Sequence, residues 1–397
     1  MANTHFQLDA LLPRHTRKLM QLRGERYAAE ANGEGCSSSI HLSLDKNENA
    51  FGSTGTEQAQ FRYPDACCGE LRRELANAHQ ADGIQAANIC VGAGVSELLD
   101  VVMRAFIQPD KDNVIITTPY EGLWRECAVL NGAMVQEIAL NSFFQLPANK
   151  LKKEIGEQTK LIFLSHPNAI IGTPLRPFDV IDLLDNFAGV VVVDESYIDF
   201  CSEQSLLPFV KDYPNLVVLR TFSKAYGLAG LRVGVAYAQP AIAHILRTLK
   251  TPYSVGTPAQ QGALKALNLP DYKDRMVRQI QAERDRLTVE LQRLPFVKSV
   301  LPSQANFLLL YVEDAKKTHG YLLAEHVQTL LCAASTTHLE QGGIRISIGN
   351  TAENDRLLAL LRDMPARLSP VRRFFRTIAS AVGKVGMLAG IVKKLFG

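Results

Sequence analysis

The sequence lacks several features that would indicate a membrane-embedded, secreted or metal-binding protein. It contains no run of 18 apolar residues, so no segment is expected to span a bilayer. Its nine histidines and seven cysteines form no zinc pattern and no C-x-x-C spacing, so we expect no metal site and reduced thiols. The first ten residues lack the basic and apolar regions of a secretory signal. Together these absences predict a cytoplasmic protein.

The chain also has little net charge of either sign. Its 43 basic and 40 acidic residues give a formal net charge of +3 over 397 residues, so the charge balance gives no indication of nucleic-acid binding. An apolar fraction of 47% and a charged fraction of 21% are typical of a globular protein. The length exceeds that of one typical hydrophobic core and predicts more than one domain.

Short apolar runs alternate with helical patterns between about residues 65 and 250. The runs that we assign to strands are 114–116, 161–164, 190–193 and 216–219. This alternation predicts an α/β fold with a mostly parallel central sheet and crossover helices, in three layers. A long helix over residues 271–293 is then expected to lead into a smaller α+β domain. The strands expected in that domain are 307–311 and 344–348.

These patterns divide the chain into four expected parts. The first 45 residues show no clear period and are interpreted as an irregular arm, with a linker or mobile loop at residues 33–39. The expected boundaries are an N-terminal arm at 1–50, a large domain at 51–260, a small C-terminal domain at 261–368 and a tail at 369–397.

The residues from Leu219 to Gly234 carry the strongest chemical signal. They read Leu-Arg-Thr-Phe-Ser-Lys-Ala-Tyr-Gly-Leu-Ala-Gly-Leu-Arg-Val-Gly and follow a buried strand pattern. A lysine by itself is most often solvated. Here Lys224 stands among hydroxyls, and Arg232 follows eight residues later. The amine can form a Schiff base with an aldehyde cofactor, and the hydroxyls and guanidinium can bind its phosphate.

A second group lies upstream, where four valines end in Asp194. Side chains at the carboxyl end of a parallel strand lie where open α/β sheets bind ligands. A carboxylate there can keep a pyridine nitrogen protonated, and the phenol of Tyr197 can serve the ring oxygen of the same cofactor. Taken alone, Asp194 could equally be a helix cap or turn residue.

Asp194-x-x-Tyr197, Lys224 thirty residues after Asp194, and Arg232 together resemble the fold type I pyridoxal phosphate enzymes. The most similar group is that of the histidinol-phosphate aminotransferases, and the resemblance covers about residues 40 to 365. Further motifs occur in the same order as in that group: Asn47-Glu-Asn49, Arg62-Tyr-Pro-Asp65, Gly94-Val-Ser-Glu97 and Gly343-Ile-Arg-Ile-Ser-Ile-Gly349.

The resemblance implies pyridoxal 5'-phosphate as cofactor and a role for each matching residue. Lys224 would bind the cofactor aldehyde and move the proton, Asp194 would pair with the ring nitrogen, and Tyr197 with the ring oxygen. Asn168 stands in the segment that contacts the ring in this group. The residues implied for the phosphate are Val95 and Ser96 through their backbone N–H groups, Thr221, Ser223 and Arg232.

Other implied roles concern the ring face, the substrate and a second subunit. Tyr120 is our candidate for stacking on the ring; Trp124 is the alternative, and both could simply be core aromatics. Asn49 and Arg345 would bind the substrate. Tyr63 would reach the phosphate of a neighbouring subunit, which implies a homodimer.

Two positions depart from the group. Ala169 stands where the group has an asparagine that hydrogen-bonds the ring oxygen, a loss of about 1.5–3 kcal/mol. Cys332 stands thirteen residues before Arg345, where the group has a second arginine for the substrate's phosphate. Arg345 alone would neutralise a dianion poorly, whereas it suits a carboxylate. We therefore expect an aminotransferase that uses a small amino acid and a 2-oxo acid rather than histidinol phosphate.

Two alternatives remain open at this stage. The first is a decarboxylase or lyase of the threonine-phosphate decarboxylase type, because the reaction depends on which substrate bond lies perpendicular to the ring. The second is a catalytically weak regulatory protein that binds pyridoxal phosphate, which Ala169 and Cys332 would mark. Retention of Asp194, Tyr197, Lys224 and Arg232 argues against this second alternative.

The tail at residues 371–397 has six basic residues and no acidic residue. Its apolar residues recur at steps of three or four, which predicts a basic amphipathic helix. Such a helix can lie on an anionic membrane surface or in a partner's groove. It could equally pack on the protein's own core.

Overall fold

The computed structural model describes residues 6–31, 44–55, 60–333 and 342–367. The first sheet has seven strands: β1 Ile89–Gly92, β2 Asn113–Thr118, β3 Met134–Ala139, β4 Thr159–Ser165, β5 Val190–Asp194, β6 Leu216–Thr221 and β7 Gly234–Ala238. The second sheet has four: β8 Val297–Val300, β9 Phe307–Val312, β10 Leu330–Cys332 and β11 Gly343–Ser347.

The described helices surround these sheets. They are α1 Leu8–Leu11, α2 Arg14–Ala31, α3 Gly69–Ala78, α4 Gly94–Phe106, α5 Leu123–Leu130, α6 Ala148–Glu154, α7 Pro177–Asn186, α8 Pro240–Leu249, α9 Thr257–Leu267, α10 Pro270–Gln292, α11 Ala315–Ala324 and α12 Thr351–Arg367.

The large sheet is mostly parallel, as predicted. Its strand order is β1-β7-β6-β5-β4-β2-β3, and only β7 runs antiparallel to its two neighbours. Asp194 at the end of β5 lies opposite Ser165 of β4 and Leu219 of β6. The carboxyl ends of three adjacent strands therefore meet at one point of the sheet edge, which is where ligands bind in such folds.

Helices cover both faces of this sheet, which explains its continuous apolar strands. Val190 and Val192 contact the cluster that contains α4, α5 and α8. Val191 and Val193 contact the opposite cluster, which includes α3, α7 and α9. Successive valines thus point to two different cores, so the strand has no polar face. The α/β fold class is confirmed.

The second sheet has the order β10-β11-β9-β8, and every neighbouring pair is antiparallel. One face packs on α10, α11 and α12 in a separate cluster that includes Leu291, Tyr321 and Leu358. The predicted strands at 307–311 and 344–348 and the helix at 271–293 are confirmed within one residue at each end. The strands β1, β3, β7, β8 and β10 were not predicted.

The prediction of an irregular arm over the first 45 residues is wrong for α2, which spans Arg14–Ala31. The hydroxyl of Thr16 is buried and donates a hydrogen bond to the carbonyl of Arg104 over 3.0 Å, and Leu12 is buried beside α4. Because α2 offers few apolar residues, its helical period is weak in sequence. The linker at 33–39 and the tail at 369–397 lie outside the described residues.

Within the described part of the chain, no helix is long and apolar enough to cross a membrane.

Candidate active site

A cleft opens where β4, β5 and β6 end and α4 begins. Its lining includes most of the predicted cofactor residues: Val95, Ser96, Asp194, Tyr197, Thr221, Ser223, Lys224 and Arg232. The strand register places Asp194 beside the loop after β6, which carries Lys224. The sequence places these residues up to 137 positions apart, from Val95 to Arg232, and the sheet brings them together.

Asp194 is a buried carboxyl group, 8% exposed, at the base of the cleft. Its Oδ1 accepts hydrogen bonds from the backbone N–H of Ser196 over 2.9 Å and from the Ser196 hydroxyl over 2.5 Å. Burial raises the pKa of Asp194 to about 6, although the Ser196 hydrogen bonds oppose the shift. A buried carboxylate is stabilised most by a cationic partner, and a protonated ring nitrogen would supply one.

Lys224 and Tyr197 face each other across the cleft. The Lys224 Nζ lies 5.1 Å from the centre of the Tyr197 ring. That ring is buried and packs edge-on against Phe307 of β9, at 5.3 Å between centres. Burial raises the pKa of the Tyr197 hydroxyl, so the phenol remains protonated and can donate a hydrogen bond. A residue of the second sheet thus supports Tyr197 at the edge of the first sheet.

An anion cradle lies at the start of α4, where backbone N–H groups have no partner within the helix. Arg232 adopts a left-handed backbone conformation with φ of 55°. Its Nη2 would lie only 2.5 Å from a Cβ at Gly94, whose own φ is +81°. A Cβ at Gly234 would approach the Val95 nitrogen to 2.5 Å. Two glycines therefore let Arg232 and the helix start converge on one small space.

We expect Gly94→Ala to weaken cofactor binding about 10- to 100-fold without unfolding the protein. The added methyl displaces the guanidinium of Arg232 and strains a backbone that has positive φ, together about 1–3 kcal/mol. The dissociation constant of pyridoxal phosphate, from absorbance titration of the apoprotein, measures the effect. Gly230→Ala is the matched control, because a Cβ there meets no atom within 4 Å. Equal affinities in the two variants would contradict the assignment of the cradle.

Arg345 of β11 is not part of the cleft lining, but it contacts two residues that are, Glu121 and Ala169. Its Nη1 lies 3.1 Å from Oε1 of Glu121 and also donates to the carbonyl of Ala169. The guanidinium stacks over the Phe307 ring at 5.0 Å. Arg345 is 19% exposed. It is thus held beside the cleft by an acid, a carbonyl and an aromatic face.

The structure does not bring the Asn168 side chain into the cleft, in contrast with the predicted cofactor contact. Its Nδ2 donates to the carbonyl of Pro119 over 2.8 Å. Its Oδ1 accepts from the backbone N–H groups of Ile170 and Ile171. Asn168 therefore holds the turn together, and Ala169 is the residue of this turn that lines the cleft.

Tyr120 also differs from its predicted position. Its hydroxyl donates to Glu137 over 2.5 Å, and its ring stacks on Trp124 with 6.2 Å between centres. Trp124, the alternative, lines the cleft, whereas Tyr120 is not part of that lining. The geometry therefore favours Trp124 as the aromatic residue next to a bound ring.

Tyr63 and Asn49 lie away from the cleft of their own chain. Tyr63 is 55% exposed and packs on Tyr253 with 4.9 Å between ring centres. Asn49 is exposed, and its Oδ1 accepts from the backbone N–H of Phe51. Glu48 links the two segments by accepting from the backbone N–H of Tyr63 over 2.6 Å.

Glu121 is the charged residue of the cleft that the sequence reasoning missed. It lies shortly after β2, a neighbour of β4 in the sheet. The argument that selected Asp194, an acid at the carboxyl end of a parallel strand, would have selected Glu121 as well. Its pairing with Arg345, 224 positions away, has no signal in a single sequence.

The arrangement fits pyridoxal phosphate on chemical grounds. A buried acid suits a pyridinium nitrogen, a protonated phenol suits a ring oxygen, and the cradle around Gly94 and Arg232 suits a phosphate. Lys224 opens into the same space and can form the Schiff base.

Known proteins agree with this chemistry. Residues 39–361 match the family described as aminotransferase class I and II. The histidinol-phosphate aminotransferase of Cytophaga hutchinsonii is 38% identical over 320 residues, which is 80% of this chain and 90% of that protein. The histidinol-phosphate aminotransferase of Flavobacterium psychrophilum is 39% identical over 319 residues, 80% of this chain and 89% of that protein.

Among solved structures, histidinol-phosphate aminotransferase from Sinorhizobium meliloti in complex with pyridoxal-5'-phosphate superposes with a TM-score of 0.71. It is 22% identical, and the match covers 91% of this chain and 97% of that one. This likeness shows the fold. Taken with the sequence matches, it identifies the chain as a member of the class I and II aminotransferase family, a pyridoxal phosphate-dependent aminotransferase similar to the histidinol-phosphate aminotransferases.

Proposed function

We propose that this aminotransferase moves an amino group between a small amino acid, bound through a carboxylate, and a 2-oxo acid, and that histidinol phosphate is a poor substrate. The observation that carries the proposal is the neutral residue beside Arg345. Cys332 lies opposite Gly343, so it shares a sheet face with Arg345 two residues along β11. Burial raises the pKa of the Cys332 thiol, which keeps it uncharged.

A dianionic phosphate would therefore meet one guanidinium there, and that guanidinium is already paired with Glu121. Charge-assisted hydrogen bonds contribute about 1.5–3 kcal/mol each. A single carboxylate needs only one bidentate partner and matches the geometry of arginine. The relatives are named for histidinol phosphate. We propose that this chain differs from them in its substrate and not in its cofactor or reaction type.

The remaining roles follow from the positions of the side chains. Bound pyridoxal phosphate supplies an electron-withdrawing ring. The Nζ of Lys224 takes the proton from the substrate's α-carbon and later returns it as a general acid. Asp194 would hold a proton on the ring nitrogen, and Tyr197 would donate to the ring oxygen. The start of α4, Thr221, Ser223 and Arg232 would bind the phosphate.

Quaternary structure and domain boundaries are part of the same proposal. We assign residues 51–260 to the large domain and 261–368 to the small one, each with its own sheet. Tyr63 is exposed and lies outside its own cleft, which supports a homodimer in which it serves the phosphate site of a second copy. The proposed contact of residues 371–397 with a membrane or protein lies outside the described residues.

The test is a screen of the first half-reaction, in which the holoenzyme is mixed with one amine at a time and its absorbance is followed. We expect kcat/KM for histidinol phosphate to be about 10- to 100-fold below that of the best α-amino acid. A preference for histidinol phosphate would overturn the proposed substrate. Release of carbon dioxide or ammonia without an oxo acid acceptor would instead favour the decarboxylase or lyase alternative.

A further inference from the structure

Glu121 is the charged residue of the cleft to which the proposed roles give no task. Its Oε1 lies 3.1 Å from Nη1 of Arg345, the group assigned to the substrate's anion. The side chain of Glu121 is 43% exposed and that of Arg345 is 19% exposed. Glu121 lines the cleft and holds Arg345 beside it, so an anion that binds Arg345 must share it with an acid of the protein.

The negative charge of Glu121 also affects the electrostatics of the other cleft residues. It contributes to raising the pKa of both Asp194 and Tyr197, although burial is the main cause for each. Among the described residues here, Arg345 and Glu121 carry opposite charges and Cys332 is neutral. Any negative group of the substrate is therefore attracted by one charge and repelled by another.

We infer that Glu121 is a specificity-determining residue, whose carboxylate competes with the substrate's anion for Arg345 and selects a monoanionic donor over a dianionic one. The inference rests on the proposed function, in which Arg345 binds that anion. Repulsion by Glu121 grows in proportion to the charge of the entering group, so a phosphate dianion is repelled twice as strongly as a carboxylate. A carboxylate can form one charge-assisted pair with Arg345 and leave Glu121 solvated.

The expected size follows from Coulomb's law. At a separation of roughly 6 Å and an effective dielectric constant near 20, one additional unit of charge changes binding by about 100-fold. Solvent screens a side chain that is 43% exposed, which lowers this value. We therefore expect selectivity to shift by about 10- to 100-fold when Glu121 loses its charge.

The experiment compares the holoenzymes of wild type, Glu121→Gln and Glu126→Gln. Glutamine keeps an oxygen that can accept from Arg345, so only the charge is lost. Glu126 lies on α5, five residues along the chain, and is exposed, so its variant is a matched control for charge. One readout is the ratio of kcat/KM for histidinol phosphate to kcat/KM for the best α-amino acid. The second is the ratio of the dissociation constants of inorganic phosphate and acetate, from calorimetry.

In Glu121→Gln, the preference for the dianion over the monoanion should rise by about 10- to 100-fold in both measurements. In Glu126→Gln, it should change by less than about twofold. Unchanged ratios in Glu121→Gln, in an enzyme that still prefers amino acids, would overturn the role of Glu121 and leave the proposed function standing. A wild-type enzyme that already prefers histidinol phosphate would overturn the proposed function. An equal shift in both variants would show a general charge effect and overturn the inference.

Discussion

Replacing Lys224 by alanine should abolish measurable turnover, a loss of at least about 10³-fold, while leaving the fold intact. The side chain has two tasks that no neighbour can take over, covalent attachment of the cofactor and proton transfer at the substrate's α-carbon. It opens into the cleft and faces the buried Tyr197 ring at 5.1 Å, so its removal creates no cavity in the main cores. Single-turnover kinetics with an amino acid measure the loss.

Lys316→Ala serves as the control for this variant. Lys316 is exposed on α11 beside the second sheet, so the substitution removes an equal side chain far from the cleft. Circular dichroism of both variants should match that of the wild type. Substantial turnover by Lys224→Ala, with the fold retained, would refute the assigned role.

The second large effect concerns Asp194→Asn, which should lower kcat about 10²- to 10³-fold by removing the charge that holds the ring nitrogen protonated. Asparagine keeps an oxygen to accept from Ser196, so the local hydrogen bonds survive. Steady-state kinetics with an amino acid and a 2-oxo acid provide the measurement. Asp212→Asn, at an exposed position between β5 and β6, is the control. A kcat equal to that of wild type would contradict the role.

The same substitution should stabilise the apoprotein at neutral pH. An aspartate titrates near 3.9 in the unfolded chain, whereas burial raises the pKa of Asp194 to about 6 in the folded one. Between these values the folded protein binds more protons, so its stability falls as pH rises from about 4 to about 6. The asparagine variant lacks that dependence, which corresponds to roughly 2–3 kcal/mol at pH 7.

Urea unfolding of the two apoproteins at pH 4.5 and pH 7.5 measures this difference. The variant should exceed wild type in the free energy of unfolding at pH 7.5, and the gap should narrow at pH 4.5. A gap that widens on acidification would show that Asp194 does not titrate as its burial implies.

The parts of the fold that sequence predicted well are those set by local pattern. Four continuous apolar runs became the parallel strands β2, β4, β5 and β6, because a strand covered on both faces needs apolar residues at every position. Lys224 and Asp194 followed from chemistry at strand ends. Their proximity required only that the strands be parallel neighbours, which the structure shows.

The parts that sequence did not predict depend on contacts between distant segments. The sequence around Asn168 does not indicate that its side chain forms three hydrogen bonds with the backbone, two within its own turn and one to Pro119. Tyr120 rather than Trp124 was predicted to stack on the ring, because the sequence does not show that the Tyr120 hydroxyl donates a hydrogen bond to Glu137 of β3. The helix α2 gains its buried contacts from the rest of the fold rather than from its own period. These contacts join residues that are distant in sequence, so a single sequence does not reveal them.

The central claim is that the amine of Lys224 binds pyridoxal phosphate covalently. Borohydride reduction of the yellow holoenzyme, followed by proteolysis and mass spectrometry, tests it most directly. We predict a stable pyridoxyl group on the peptide that contains Lys224 and on no other lysine. Colourless protein that gains no label at position 224, even after incubation with the cofactor, would contradict the account.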